Sequence, residues 1–299
     1  MNFSKLFNLL LLKNVIKFIG MRIIDTKEIE EKIYNMALHA GVNLTPSCKK
    51  ALQEAEISEN NAAAKFALKT LNQNAEIAKE MQMPVCQDTG MSVVILEIGQ
   101  NVFLQGKPLK TAVNDAVKRA YADGYFRKSV CDPITRVNTT DNTPPVIHTE
   151  IVEGDNVKIT YLPKGFGSEN MSRLYMLKPA QGVNGIIDAI VETVKIAGSR
   201  PCPPVYVGVG IGGSFDTCAF LAKKALTRDV GTFNEREDIA EIEKLALKRI
   251  NDLNVGCQGF HGNTTAIGVS CEWAYTHIAG LPVAINIQCH CVRCEKEII

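Results

Sequence analysis

The chain has 299 residues, 46% of them hydrophobic and 22% charged, with 33 basic against 32 acidic side chains. A net charge of +1 and the lack of any Lys/Arg run argue against nucleic-acid binding, while the apolar content is enough for one large domain or two modest ones. Ten irregularly spaced cysteines in a chain of this length speak against a secreted disulfide framework and for a reducing cytosol, so a cytoplasmic location is expected.

Residues 1–20 carry Leu9-Leu10-Leu11-Leu12 between Lys5, Lys13 and Lys17. The run is too short to span a bilayer, and the segment reads as a leader or an over-extended start before Met21. A helix follows Asp25, with Glu28 completing a capping box and Ile29, Ile33, Met36 and Ala37 on one face. A second helix is predicted from about Glu59 to Met81, on the stripe Ala64, Leu68, Leu71, Ala75 and Ala78. The corner Pro84-Val85-Cys86-Gln87-Asp88-Thr89-Gly90 then leads into a strand over 91–98. It sets a soft sulfur ligand, an amide and an acid at one turn. A helix beginning near Pro108 comes next, then a long polar stretch from Arg127 to Thr149, of a kind that is functional or disordered when it has no structure of its own.

Strand 157–162 precedes the glycine loop Lys164-Gly165-Phe166-Gly167-Ser168. Helix 183–197, Cys202-Pro203-Pro204, strand 205–209, helices 214–226 and 235–253, and strands 266–269 and 282–287 complete the pattern. The fold class expected is α/β (mixed α+β): a helical N-terminal lead-in followed by mixed sheets covered by helices, with 21–299 as one catalytic domain.

Three constellations could carry chemistry. Gly208-Val209-Gly210-Ile211-Gly212-Gly213 satisfies G-x-G-x-x-G after a strand and before a helix, which allows a nicotinamide-dependent oxidoreductase. The acid expected about twenty residues on would be Asp229, but no buried strand leads to it. Cys289-His290-Cys291-Val292-Arg293-Cys294 is dense in soft ligands and could hold zinc in an interaction protein, or a thiol pair. An iron–sulfur cluster suits the spread of cysteines better, because thiolates from separated loops can converge on it and three of them leave one iron open as a Lewis acid. Cys86, Cys202 and Cys289 share a loop or strand-edge context, whereas Cys48, Cys131, Cys218, Cys257 and Cys271 read as ordinary small residues. Spacing alone does not select three from ten.

Cys86-Gln87-Asp88-Thr89-Gly90, Lys164 to Asn170, Cys202-Pro203-Pro204 and Gly212-Gly213-Ser214 occur in that order. Together they resemble the class I, iron–sulfur-dependent fumarate hydratases and the related L-tartrate dehydratases, from about Met21 onward and closest to the α subunit of the two-subunit form. The resemblance implies the iron–sulfur hydro-lyase N-terminal-domain fold and a [4Fe–4S] cluster held by Cys86, Cys202 and Cys289, with Cys291 and Cys294 as bystanders. It carries substrate contacts onto Gln87, Asp88, Arg127, Gly167 and His277, with Asp88 and His277 in the catalytic roles. The small dicarboxylate would be fumarate, hydrated reversibly to L-malate in the tricarboxylic acid cycle, or L-tartrate, dehydrated to oxaloacetate. It further implies a separate β subunit completing the active site in an α2β2 assembly; from charge and the short apolar run, no membrane or nucleic-acid partner is expected. The Gly-Gly-Gly-Ser of the single-chain enzymes is interrupted here by Phe166.

Overall fold

A computed structural model describes residues 20–299, so residues 1–19 of the expected leader lie outside the described residues. The described part is a mixed α/β structure that divides into two compact units. The chain enters one unit, passes to the second after His39, returns for Met91–Pro163, crosses again for Lys164–Cys294 and ends in the first.

The first unit holds β1 (Arg22–Asp25), most of α1 (Thr26–Val42), β2 (Met91–Gly99), β3 (Val102–Gln105), α4 (Leu109–Asp123), β4 (Val146–Val152), β5 (Val157–Lys164) and β10 (Glu295–Ile298). Its larger sheet has the order β10-β5-β2-β4, and β1 pairs in parallel with β3. Asp25 closes β1 and its Oδ1 accepts from Lys27 N at 2.9 Å, which starts α1. Ile29, Ile33, Met36 and Ala37 are buried as their period requires.

The stretch 127–149 is not structureless. Asp132 Oδ1 accepts from Ile134 N and Thr135 N at 2.9 and 2.7 Å, and buried Asn142 accepts from Ser129 N at 2.7 Å. Side-chain oxygens do here what a strand ladder does elsewhere, and β4 opens within its last residues.

The second unit holds α2 (Pro46–Ser58), α3 (Ala62–Met81), α5 (Phe166–Glu169), β6 (Arg173–Leu177), α6 (Gly182–Ala197), β7 (Val205–Gly212), α7 (Phe215–Ala225), α8 (Glu237–Asn251), β8 (Ala266–Ala274) and β9 (Leu281–Gln288). The helix expected over 59–81 begins only at Ala62. Asn61 caps it, its Oδ1 accepting from Ala63 N and Ala64 N, while buried Glu59 turns away to accept from Asn60 N, Asn61 N and Asn263 N. The sequence reading also missed α2, which Thr45 caps and Pro46 opens.

The sheet of this unit runs β6-β9-β7-β8. β7 is parallel to β8 and antiparallel to β9. Odd positions of β7 (Val205, Val207, Val209, Ile211) share one apolar cluster with α6, α8 and the inward residues of β9. Even positions face α7, which lies so close that a Cβ on Gly208 would stand 2.3 Å from Ala222 O and one on Gly210 2.0 Å from Cys218 O. A buried strand between two helical layers is why 205–212 reads as a continuous apolar run.

Candidate active site

The site is built on the second unit. Its first corner is the segment between α3 and β2. Val85 is buried with Ala78 and Cys291, and Cys86 and Cys289 pack against this cluster. Val85 N donates to Gly41 O at 3.1 Å and Asn74 Nδ2 donates to Val85 O at 2.9 Å, so the backbone is fixed on both sides just before Cys86. Two residues on, Asp88 Oδ2 accepts from Phe166 N at 2.7 Å and Oδ1 from Gly90 N at 3.0 Å. Gly165 lets this happen: a Cβ there would meet Asp88 Oδ2 at 3.1 Å. The Arg293 Nη2 donates to Asp88 O at 2.9 Å.

The second and third corners share one edge of the sheet. Cys202 precedes β7 and Cys289 follows β9, and Tyr206 pairs with Gln288. Cys202 O accepts from His290 N at 3.3 Å and lies 3.0 Å from His290 Nδ1. Cys202 is exposed and adopts φ 53°, a left-handed conformation that a cysteine enters at some cost in strain.

The sulfurs sense one another. The Cys86 thiol is pulled down to about 6, foremost by a hydrogen bond from Cys291, then by the Arg293 charge and the Asp88 N–H, against the effect of burial. Cys291 is pushed well above the thiol range by that same bond and by its burial. Burial also raises Cys289, opposed by Arg293 and by a hydrogen bond from the Cys291 N–H. Burial raises Cys202, with the neighbouring Cys86 adding to it.

Four participants were given no role by the sequence. Lys164, 1% exposed, donates to Ile287 O at 2.8 Å and Ser168 Oγ at 2.9 Å and pairs with Glu169 Oε2 at 3.1 Å. Burial lowers its ammonium to about 8 against the pull of Glu169. Glu169 also accepts from Lys223 Nζ at 2.5 Å and Asn286 Nδ2 at 2.8 Å; despite burial, the two lysines hold its carboxyl at about 2. This network ties the turn that positions Asp88 to the strand that ends just before Cys289. Arg293, 1% exposed, and Gln288, fully buried, complete the set. Cys291, read as a bystander, touches the first corner through Cys86.

Gln87 is exposed next to Cys86. Gly167 is exposed in the single turn α5, and a Cβ there would meet nothing within 4 Å. Arg127 belongs to the other unit, exposed just after buried Phe126. His277 is exposed in the turn between β8 and β9, where its Nδ1 accepts from Ala279 N at 3.2 Å. Gly212 pairs with Ala274, so this turn lies past the far end of β7 from Cys202, roughly 20 Å or more along the strand. The structure thus groups Cys86, Asp88, Cys202 and Cys289, with Gly167 on the turn whose first N–H holds Asp88. It does not bring His277 to them within this chain.

The G-x-G-x-x-G segment is not a phosphate turn. Gly208 and Gly210 lie inside β7, where they admit α7, and only Gly212 (φ 84°) and Gly213 (φ 68°) turn the chain. A dinucleotide fingerprint needs its first two glycines at the turn itself.

Whether these residues suit a [4Fe–4S] cluster is judged from the donor set. Among the described residues no three His, Cys, Asp or Glu side chains converge closely enough for one metal ion. Thiolates that each bind a different iron of a cluster stand wider apart than the ligands of one ion. Three soft sulfurs on three segments, N–H donors aimed at two of them, and the Arg293 cation acting on Cys86 and Cys289 fit such a group.

A family model described as fumarate hydratase (Fumerase) matches residues 30–297. The chain is 40% identical over 268 residues to a protein of Methanocaldococcus jannaschii named putative L(+)-tartrate dehydratase subunit alpha, covering 88% of this chain and 94% of that one. To the L(+)-tartrate dehydratase subunit alpha of Escherichia coli strain K12 it is 28% identical over 266 residues, 88% of each. The corresponding protein of Shigella sonnei stands at the same identity and coverage.

Proposed function

The chain belongs to the fumarate hydratase (Fumerase) family, and from that premise we propose that it is the cluster-bearing α subunit of a fumarate hydratase. It would interconvert fumarate and L-malate using a [4Fe–4S] cluster held by Cys86, Cys202 and Cys289. The observation that supports this most is the corner at 86–88, where a sulfur and an oriented carboxylate sit two residues apart and that sulfur raises both Cys202 and Cys289. When bound, the cluster supplies an open iron as Lewis acid for a substrate hydroxyl and carboxylate.

The protein's own residues divide the remaining work. Asp88 takes or returns the carbon-bound proton at Oδ1, whose second lone pair remains beyond the bond from Gly90 N. The Phe166 N–H holds Oδ2 and so fixes the direction of approach. Gln87, exposed beside Cys86, offers an amide to the substrate, and Gly167 leaves its backbone open to close approach. Arg127 would pair with a substrate carboxylate through a bidentate fork. His277, at the far edge of the sheet, is assigned no step.

A second reading, L-tartrate dehydratase, is favoured by the names of the relatives, which are alpha subunits of that enzyme. Those names also support a separate β subunit that completes the pocket, in an α2β2 assembly, and the family setting supports a cytoplasmic enzyme. Among the described residues no helix is long and apolar enough to cross a membrane.

The test is anaerobic co-production with the β partner, iron and sulfide quantitation, and assays on fumarate and on L-tartrate. Cys86→Ser, Cys202→Ser and Cys289→Ser should each lose iron and sulfide. A cluster that survives all three changes refutes the ligand assignment, and turnover of L-tartrate alone replaces the first reading with the second.

A further inference from the structure

Gln288 is an expensive residue to keep where it is. It is 0% exposed at the end of β9, and its Oε1 has no hydrogen-bond partner among the described residues. A buried, unsatisfied amide oxygen carries a desolvation cost that an apolar side chain of similar size would avoid. The other end of the amide is fully engaged: Nε2 donates to Cys291 O at 2.9 Å and points at Cys289 Sγ at 3.7 Å. The carbonyl acceptor settles which end is nitrogen, because an amide oxygen would repel it. Three residues on, the fully buried Cys291 thiol lies in the apolar cluster against which Cys86 and Cys289 pack, where it lowers the Cys86 thiol. One turn, 288–291, therefore sends a side-chain N–H to one sulfur and sets a thiol beside another.

We propose that Gln288 and Cys291 are positioning residues that set the reduction potential of a cluster held by Cys86 and Cys289. The inference rests on the cluster reading above. Donors aimed at ligand sulfurs stabilise the more negative, reduced state of an iron–sulfur centre, so each one raises its potential. The remaining backbone donors stay in place whichever side chain is changed, which makes the two contributions separable.

The experiment uses anaerobically purified protein: wild type, Gln288→Leu, Cys291→Ala and Cys291→Ser. Iron and sulfide are measured first, then the midpoint potential by a redox titration followed by electron paramagnetic resonance. Gln288→Leu should move the one-electron equilibrium about tenfold toward the oxidised form, about 59 mV more negative. Cys291→Ala should move it the same way by less, since a thiol is a weak donor, and Cys291→Ser should restore it. A residue that merely packs would not be rescued by a hydroxyl. Loaded protein whose potentials match wild type in both Gln288→Leu and Cys291→Ala overturns this inference alone. Wild type without iron and sulfide overturns the cluster reading and this inference with it. If Gln288→Leu does not load, the comparison of Cys291→Ala with Cys291→Ser decides.

Discussion

Replacing Glu169 with glutamine should destabilise the second unit by about 3 kcal/mol at neutral pH, and the loss should vanish in acid. The carboxylate faces two largely buried ammonium groups, Lys164 at 3.1 Å and Lys223 at 2.5 Å, and it also accepts from Asn286. A carboxyl held at about 2 instead of 4.5 corresponds, at about 1.36 kcal/mol per pH unit, to about 3 kcal/mol favouring the ionised form. Breaking a buried pair by removing one partner costs about 3–5 kcal/mol, which agrees. The group's folded value is depressed, so its contribution is complete above pH 4.5 and fades as pH falls toward 2. Equilibrium urea unfolding of wild type and Glu169→Gln at pH 7, 4.5 and 3, with thermal scans beside it, measures this. At about 2–4 °C per kcal/mol the midpoint should drop by roughly 6–12 °C at pH 7. A loss below about 1 kcal/mol, or one that does not shrink below pH 4.5, refutes the argument that this carboxylate neutralises the two lysines.

Gly165→Ala and Gly167→Ala should separate by stability. The first drives a Cβ against the Asp88 carboxylate at 3.1 Å and should lower kcat at least tenfold; the second meets open space and should leave stability within about 0.5 kcal/mol while raising KM. Unfolding curves and steady-state kinetics on the assembled enzyme test both. Gly210→Ala places a Cβ 2.0 Å from Cys218 O and should cost about 1–3 kcal/mol or more as α7 is pushed off the sheet, read as a lower urea midpoint. Isothermal titration with NAD should give no binding, because Gly208 and Gly210 lie within a strand; a saturable isotherm would overturn that reading.

Elements rich in buried apolar residues were legible in the sequence, and short ones were not. Helix α6 and strands β7 and β9 fall within a few residues of their expected bounds because their apolar residues enter a large cluster. Short edge strands such as β1, β3, β6 and β10 have mixed burial and are set by partners far along the chain. Cys86 and Asp88 were readable as a ligand and an acid at one turn. Lys164 and Gln288 were not: each looks like a strand terminus, and only the fold shows that its polar end is buried against Glu169 or Cys289. His277 and Cys289, near in sequence, stand at opposite ends of β9, a separation that only the strand reveals.

Strand length here acts as a ruler. Six residues of β9, from Val283 to Gln288, are matched one for one to β7, from Tyr206 to Ile211. Cys289 follows directly, and the Cys202 carbonyl is clasped by His290. Deleting or adding one residue within β9 would turn every later side chain to the opposite face, and no change of rotamer could return the third sulfur to its place. Helices over this sheet can accept many substitutions as long as volume is kept. A change of side chain in the strand is local whereas a change in count moves every later residue, so this protein should be intolerant of insertion along the eight residues of β9.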